Sequence, residues 1–343
     1  MNMRFSFSKI VLLALIFHNM PLSVAVEKTV APSATESNVH LSDWLLRWHE
    51  ASKRRAYAGT FVVSTPQTMS SAKIWHVCDG QHQLERVDAL TGPARTTIRR
   101  NDDVVTFIPE SKLSVTEKRE SLNTFPAILQ STPPTLAEHY TLKQPPSGDR
   151  VAGFEVDVVE VQARDEFRFG YRVWSEKKTG LILKLQTLDA QGRILEQVAF
   201  SELQLDAPVK SSDLLRAMKQ RAGYQSHKID LTRTNPQAQG WRLKHTVPGF
   251  STVACHLRSP LPTREAESST LQWVLSDGLA SVSAFIENFD PSQHTQEGHM
   301  VAGSTHSLSR RYHQHWVTWV GEVPFKTLAR FATALERVPT STP

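Results

Sequence analysis

Along the chain, apolar positions recur at two spacings. LSDWLLRWHEASKRR at 41–55 sets Leu41, Trp44, Leu45 and Trp48 three and four residues apart, one apolar stripe opposed by charges, which predicts a helix. The spacing then drops to two, and short strands are predicted at 57–64, 72–78, 82–88, 94–100, 103–109 and 112–117. Breaks such as Asp79-Gly80 and Thr91-Gly92-Pro93 separate them, a rhythm that favours an antiparallel meander over crossover helices. Between 121 and 146, Pro126, Pro133, Pro134, Pro145 and Pro146 interrupt the pattern around AILQ and TLAEHYTL, which predicts one or two short helices in a loop region, a candidate flap. Strands resume at 151–163, 166–175, 180–188 and 193–205, followed by a helix at 211–221 and a polar linker at 223–239. From Gly240 onward four or five strands are predicted, closed by a helix from Pro324 to about Arg337, since proline suits the first helical position. Within that last part LQWVLSDGLASVSAFIE at 271–287 reads as a hairpin hinged on Asp277-Gly278, a pair that tolerates the positive φ of a tight primed turn. The fold class is α+β, mainly antiparallel β: a large sheet followed by a smaller α+β unit.

The first residues alter this picture. Arg4 and Lys9 precede an apolar run, IVLLALIF, and Ser23-Val24-Ala25 supplies the small residues a signal peptidase reads, so 1–25 is expected to be a cleaved signal peptide. The run is shorter than the roughly 20 apolar residues of a membrane span. The parts expected behind it are a large domain at 26–222, beginning with a polar leader at 26–38, then the linker and a small domain at 240–343. The formal net charge of +5 loses two positive charges with the signal peptide, and what remains is no concentrated basic stripe, which argues against nucleic acid as a partner. Lys53-Arg54-Arg55, Arg99-Arg100, Lys177-Lys178 and Arg310-Arg311 form small basic clusters, each either a solvated face or an attraction for an acidic partner or lipid headgroup. An oxidising compartment leaves a disulfide between Cys78 and Cys255 open, against two small buried thiols.

Motifs of catalysis are missing. There is no phosphate-binding glycine loop, nucleophile elbow, Cys-x-x-Cys or His-Glu-x-x-His, so neither an enzyme nor a cofactor is expected. His294, His299, His306, His313 and His315 crowd 22 positions, but no carboxylate or thiol stands at ligand spacing beside them. Trp75, Phe107, Tyr171 and Trp174 are large aromatics in predicted strands, suited to core packing or to lining a lipid cavity. Arg168 and Arg172 alternate with Phe167, Phe169 and Tyr171, so they are expected to share one strand face and to meet acidic headgroups or solvent.

Taken as blocks, YAGTFVV at 57–63, the run from FRFGYRVW to VAFSEL at 167–203, WRLKHTVPGFS at 241–251, SDGLASVS at 276–283 and WVTWVGEVPFKTLARFA at 316–332 resemble the MucB/RseB family of periplasmic sigma-E regulators. The resemblance implies a large domain built as a half-open β-barrel similar to periplasmic lipoprotein carriers, with an apolar concavity filled by its own helices or a ligand. It implies a non-enzymatic regulator that binds the periplasmic part of a membrane-spanning anti-sigma factor, shields it from proteolysis, and senses lipopolysaccharide or an acylated lipoprotein through the large domain. Trp75, Phe107, Arg168, Tyr171, Arg172 and Trp174 are then the lipid-cavity candidates, and Trp273, Phe285, Arg310 and Arg311 the partner-binding candidates. A homo-oligomer is left open. The alternative reading is a periplasmic lipid or lipoprotein carrier, against which the extra small domain argues.

Overall fold

A computed structural model describes residues 41–118, 135–145, 148–260 and 269–339. The expected signal peptide and leader, and most of the proline-rich segment, lie outside the described residues. Helix α1 (Leu41–Arg54) buries Leu41, Trp44, Leu45, Trp48 and Ala51, the stripe expected of it. A 14-residue helix is marginal in isolation, so these side chains hold it by docking on the sheet that follows. That sheet opens with β1 (Tyr57–Ser64), β2 (Met69–Cys78), β3 (Gln83–Ala89), β4 (Thr96–Arg100), β5 (Asp103–Ile108) and β6 (Leu113–Lys118), each antiparallel to the next. Its second half comprises a short helix α2 (Leu136–His139), β7 (Tyr140–Lys143), β8 (Asp149–Val151), β9 (Phe154–Ala163), β10 (Gly170–Glu176), β11 (Ile182–Leu188) and β12 (Ile194–Leu205). Strand β12 returns to pair with β1 and fuses the halves. Helix α3 (Ser211–Lys219) follows, and β13 (Gln225–Lys228) joins β6 in parallel. Among the described residues the sheet has 13 strands in the order β13-β6-β5-β4-β3-β2-β1-β12-β11-β10-β9-β7, with β8 on β9; its two ends do not meet.

Strand parity sorts the side chains between two faces. Ile74 and His76 lie on the face that receives α1, where Ala51 meets Tyr57, Ile74, Leu183 and Phe200, and the α1 tryptophans meet Val159, Val161, Tyr171 and Val173. Trp75 and Val77 point the other way. There Leu214 of α3 packs on Val77 and Leu84, while Ala217 and Met218 cover Ile98, Val105 and Phe107.

The small unit begins with β14 (Leu231–Arg233), a 3-10 turn at Gln237–Gln239 and β15 (Trp241–Leu243). It continues with β16 (Ser251–Arg258), β17 (Thr270–Ser276), β18 (Ser281–Asn288), β19 (Gly298–Ala302), β20 (Thr305–Tyr312), β21 (His315–Gly321), α4 (Phe325–Ala334) and β22 (Leu335–Arg337). Among the described residues a seven-stranded sheet runs β14-β16-β17-β18-β21-β20-β19, and β15 pairs with β22. Trp273, Leu275, Val282, Ala284, Ile286, Val317 and Trp319 alternate onto one face and pack under Leu328 and Phe331 of α4, with the Trp319 and Phe331 rings stacked 5.6 Å apart.

Several expectations are corrected here. The small sheet has seven strands rather than four or five, because β14 comes from the stretch read as linker and β19 and β20 form a separate hairpin. The same stretch also supplies β13 to the large sheet, so its polar residues belong to edge strands. Helix α4 ends at Ala334; residues 335–337 instead extend and pair with β15, which buries Leu335. The hairpin at 277–280 is no tight primed turn. Ser276 faces Ser281, so the loop has four residues, with Gly278 at φ 104°.

Candidate functional site

The two sheets meet around that four-residue loop. Asp277 Oδ1 accepts hydrogen bonds from the amides of Leu279 (3.0 Å) and Ala280 (2.8 Å), and Ser276 Oγ donates to the Ala280 carbonyl at 2.8 Å. These bonds fold the loop and leave the second carboxylate oxygen facing the large sheet. Oδ2 accepts from Arg168 Nε at 2.5 Å and from the Tyr140 hydroxyl at 3.0 Å. Arg168 stands in the turn between β9 and β10, and its side chain and that of Asp277 are both wholly buried. The remaining guanidinium nitrogens donate to Asp165 and to the Pro248 carbonyl, so the cation is bonded on three sides. Its plane lies against aromatic rings, 5.1 Å from the Phe250 centroid and 5.9 Å from that of Tyr140.

Buried charges hold only when fully paired, because removing one partner strands the other in a medium that solvates it poorly. Here the pairing links residues 109 apart in sequence, in the connecting turns of different sheets. Burial pushes the Tyr140 hydroxyl well above its ordinary range, and the neighbouring Asp277 carboxylate adds to this, so it stays a donor. At the tip, Leu279 enters the core of the large sheet beside Trp44, Trp48, Tyr171 and Val173. Gly249 is forced by the closeness of the contact: at φ 81°, an added Cβ would come within 2.4 Å of His139 and 2.6 Å of Arg168.

Further contacts widen the junction. Thr327 Oγ1 of α4 donates to the Phe167 carbonyl at 2.7 Å, and Lys326 pairs with Glu166. Ser304 Oγ donates to Glu196 of β12 at 3.2 Å, Arg258 of β16 pairs with Glu117 of β6 at 3.0 Å, and Phe169 meets His306 edge to face. This is a docking junction rather than a reaction centre: four donors already occupy the Asp277 carboxylate, leaving no lone pair poised to take a proton. Among the described residues no group of three His, Cys, Asp or Glu is placed to hold a metal ion.

The structure disperses the residues singled out from the sequence. Arg168 is outside the strand and belongs to the junction, so it does not share a strand face with Arg172, which pairs with Glu160 on β9 at 2.6 Å. Tyr171 packs with the α1 tryptophans; Trp174 is in the next cluster and donates from Nε1 to Asp149 at 2.8 Å; Phe107 lies under α3 against Tyr224. Trp75 is half-buried on the α3 face, where it floors a cavity of about 450 Å³ with Ala58, Arg86, Val209 and Leu214. The six lipid-cavity candidates therefore do not line one space. Of the partner candidates, Trp273 is buried in the small core and donates to Thr252 at 2.9 Å, Phe285 is half-buried beside a cavity of about 260 Å³ on the opposite face, and Arg310 and Arg311 are exposed. Cys78 and Cys255 are both free, the first at the end of β2 and the second on the core face of β16, where burial pushes its thiol up to about 11. The junction residues Tyr140, Phe250, Asp277 and Leu279 escaped the sequence reading as a set. One signal was present: Leu279-Ala280 are apolar at a hairpin tip, where exposed turns are polar.

Two sheets joined by a buried ion pair define a protein of two docked units. Sequence models of the MucB/RseB N-terminal domain and of the MucB/RseB C-terminal domain match residues 40–218 and 235–336. The chain belongs to the MucB/RseB family. It is 30% identical over 300 residues to the sigma factor AlgU regulatory protein MucB of Pseudomonas aeruginosa, covering 86% of this chain and 90% of that relative. To the sigma-E factor regulatory protein RseB of Escherichia coli K12 it is 25% identical over 283 residues, 82% and 86% of the two chains. Among solved structures, MucB in complex with MucA(peri) superposes with a TM-score of 0.64 at 26% identity, covering 88% of this chain and all of that one.

Proposed function

We propose that this chain acts in the periplasm, after removal of residues 1–25, as a non-enzymatic regulator that binds the periplasmic part of a membrane-spanning anti-sigma factor. In this reading the bound segment is shielded from the protease that starts its degradation, which restrains a sigma-E-type envelope-stress response. The observation that carries it is the match over both sheets to a MucB that was crystallised with MucA(peri). The junction supports it physically, since fixing the relative placement of the two units in advance lowers the ordering cost for a partner that touches both. Lipid or lipopolysaccharide, taken up by the large unit at 26–222, loosens the complex. A lipid can do so only if it favours free protein over complexed protein, with about 1.4 kcal/mol of coupling for each tenfold preference. The test is a calorimetric titration of the mature chain with the purified anti-sigma domain, repeated with lipopolysaccharide. Saturable binding that weakens at least tenfold with lipopolysaccharide is expected; binding indifferent to it removes the sensing half of the proposal.

A further inference from the structure

We propose that β19 is a docking edge, on which an extended segment of the polypeptide partner pairs as an eighth strand of the small sheet. The inference rests on the partner-binding reading above and names the surface and backbone chemistry through which it acts.

The sheet edges show a contrast. The described ends of the two sheets are β13, β7, β14 and β19. An open edge is a row of unpaired amides and carbonyls that invites pairing, and proteins blunt such rows with charge, above all lysine, or with proline. Strand β13 carries Lys228, β7 carries Lys143 and β14 carries Arg233. Strand β19, Gly-His-Met-Val-Ala, carries no lysine, arginine, acid or proline, and all five residues are exposed, Met300 by 73% and Val301 by 57%. It is the one described edge left without a charged guard.

Register fixes which backbone groups face outward. Ala302 lies opposite Thr305, so Gly303-Ser304 is a two-residue hairpin loop, and Gly303 at φ 60° suits the first central position of a type II′ turn. Such a hairpin closes on a hydrogen-bonded pair, which gives Gly298, Met300 and Ala302 to β20 and turns the N–H and C=O of His299 and Val301 away from the sheet. An incoming strand would find apolar contact on both faces. Met300 projects to one side; on the other, Val301 shares a face with His299, whose ring centroid lies 4.2 Å from that of Phe325.

The occupant is defined by what flanks the edge. Strand β20 runs past the start of β19 and presents Arg310, exposed and in no ion pair among the described residues, while Arg311 on the opposite face stacks on Phe289 and donates from Nε to the His313 carbonyl. An extended, apolar-centred segment with a carboxylate at one end matches this array. A second copy of the chain matches it poorly: antiparallel pairing of two β19 strands brings no carboxylate of the strand to either arginine.

The experiment follows amide exchange in the full mature chain with and without the purified periplasmic domain of the anti-sigma factor, beside the variant Val301→Pro. Proline there removes only an outward N–H, which an edge strand tolerates, so the variant should melt close to wild type. Exchange at His299 and Val301 should slow at least tenfold in the complex, and Val301→Pro should bind at least tenfold more weakly. A wild type that binds with unchanged exchange at these two amides overturns the docking edge and leaves the regulator reading standing; a wild type that does not bind removes both. Protection that rises with protein concentration in the absence of partner assigns the edge to a second copy and also overturns the proposal. Should Val301→Pro fail to fold, the exchange measurement on wild type alone decides.

Discussion

Arg168 shows where residue-level reading of the sequence reaches its limit. In FRFGYRVW the alternation of Phe167, Phe169 and Tyr171 with two arginines was legible and suggested one strand face. Only Arg172 takes that place, because the partner that draws Arg168 inward is Asp277, 109 residues away, and no local pattern encodes such a distance. Their bond makes a direct prediction. Arg168→Met or Asp277→Asn should each lower stability by about 3–5 kcal/mol in urea unfolding, since each strands a buried partner, while Arg168→Met/Asp277→Leu should cost less than the two together. Equal and additive losses near zero would show that the pair is not buried as described. His76 yields a pH prediction. Its Nδ1 bonds the Arg55 carbonyl at 2.8 Å, its Nε2 meets the Gln83 amide at 3.0 Å, and burial, helped by the charge of Arg99, pulls its pKa from 6.5 to about 4. Because the unfolded chain takes up the proton first, the stability from neutral His76 is present above pH 6.5 and is lost as pH falls toward 4. Unfolding of wild type and His76→Gln between pH 7 and 4 should therefore converge as the pH drops, and parallel curves would contradict the assignment.

Elements were the most legible scale, since most of them are locally determined. The stripe of Leu41, Trp44, Leu45 and Trp48 gave α1 to within a residue, and the period-two runs gave β1 and the meander behind it, because each pattern is read within one or two turns of chain. Ends decided by distant pairing were not legible. The C-terminal helix stops at Ala334 because residues 335–337 find a strand partner in β15, almost a hundred residues earlier. The loop at 277–280 was read as turn chemistry alone, whereas it folds on its own aspartate and delivers Leu279 into the other sheet's core. Leu279→Ala should consequently cost about 2–5 kcal/mol although it sits at a hairpin tip, as measured by thermal unfolding. A loss under about 0.5 kcal/mol would mean that the tip is surface.

For the whole molecule, the mainly antiparallel α+β class was legible, but the joining of β12 to β1 across more than a hundred residues, which makes one sheet of two meanders, was not. Nor was the scatter of the aromatic candidates: Trp75 and Phe107 face α3, Tyr171 packs against α1, and Trp174, of opposite parity in the same strand, points to the other side of the sheet and packs with Val156 and Val158. Strand parity gives alternation but not which face a helix will cover. What the molecule presents is two sheets held in fixed relation by a buried ion pair, with an unguarded strand edge on the smaller one. We propose that this arrangement holds an anti-sigma factor. The measurement that tests it most directly is isothermal titration of the mature chain with the purified periplasmic domain of the anti-sigma factor. Saturable one-to-one binding with a dissociation constant of about 1 μM or tighter, worth roughly 8 kcal/mol, is predicted; a titration with no saturable heat and no co-elution on a sizing column would contradict it.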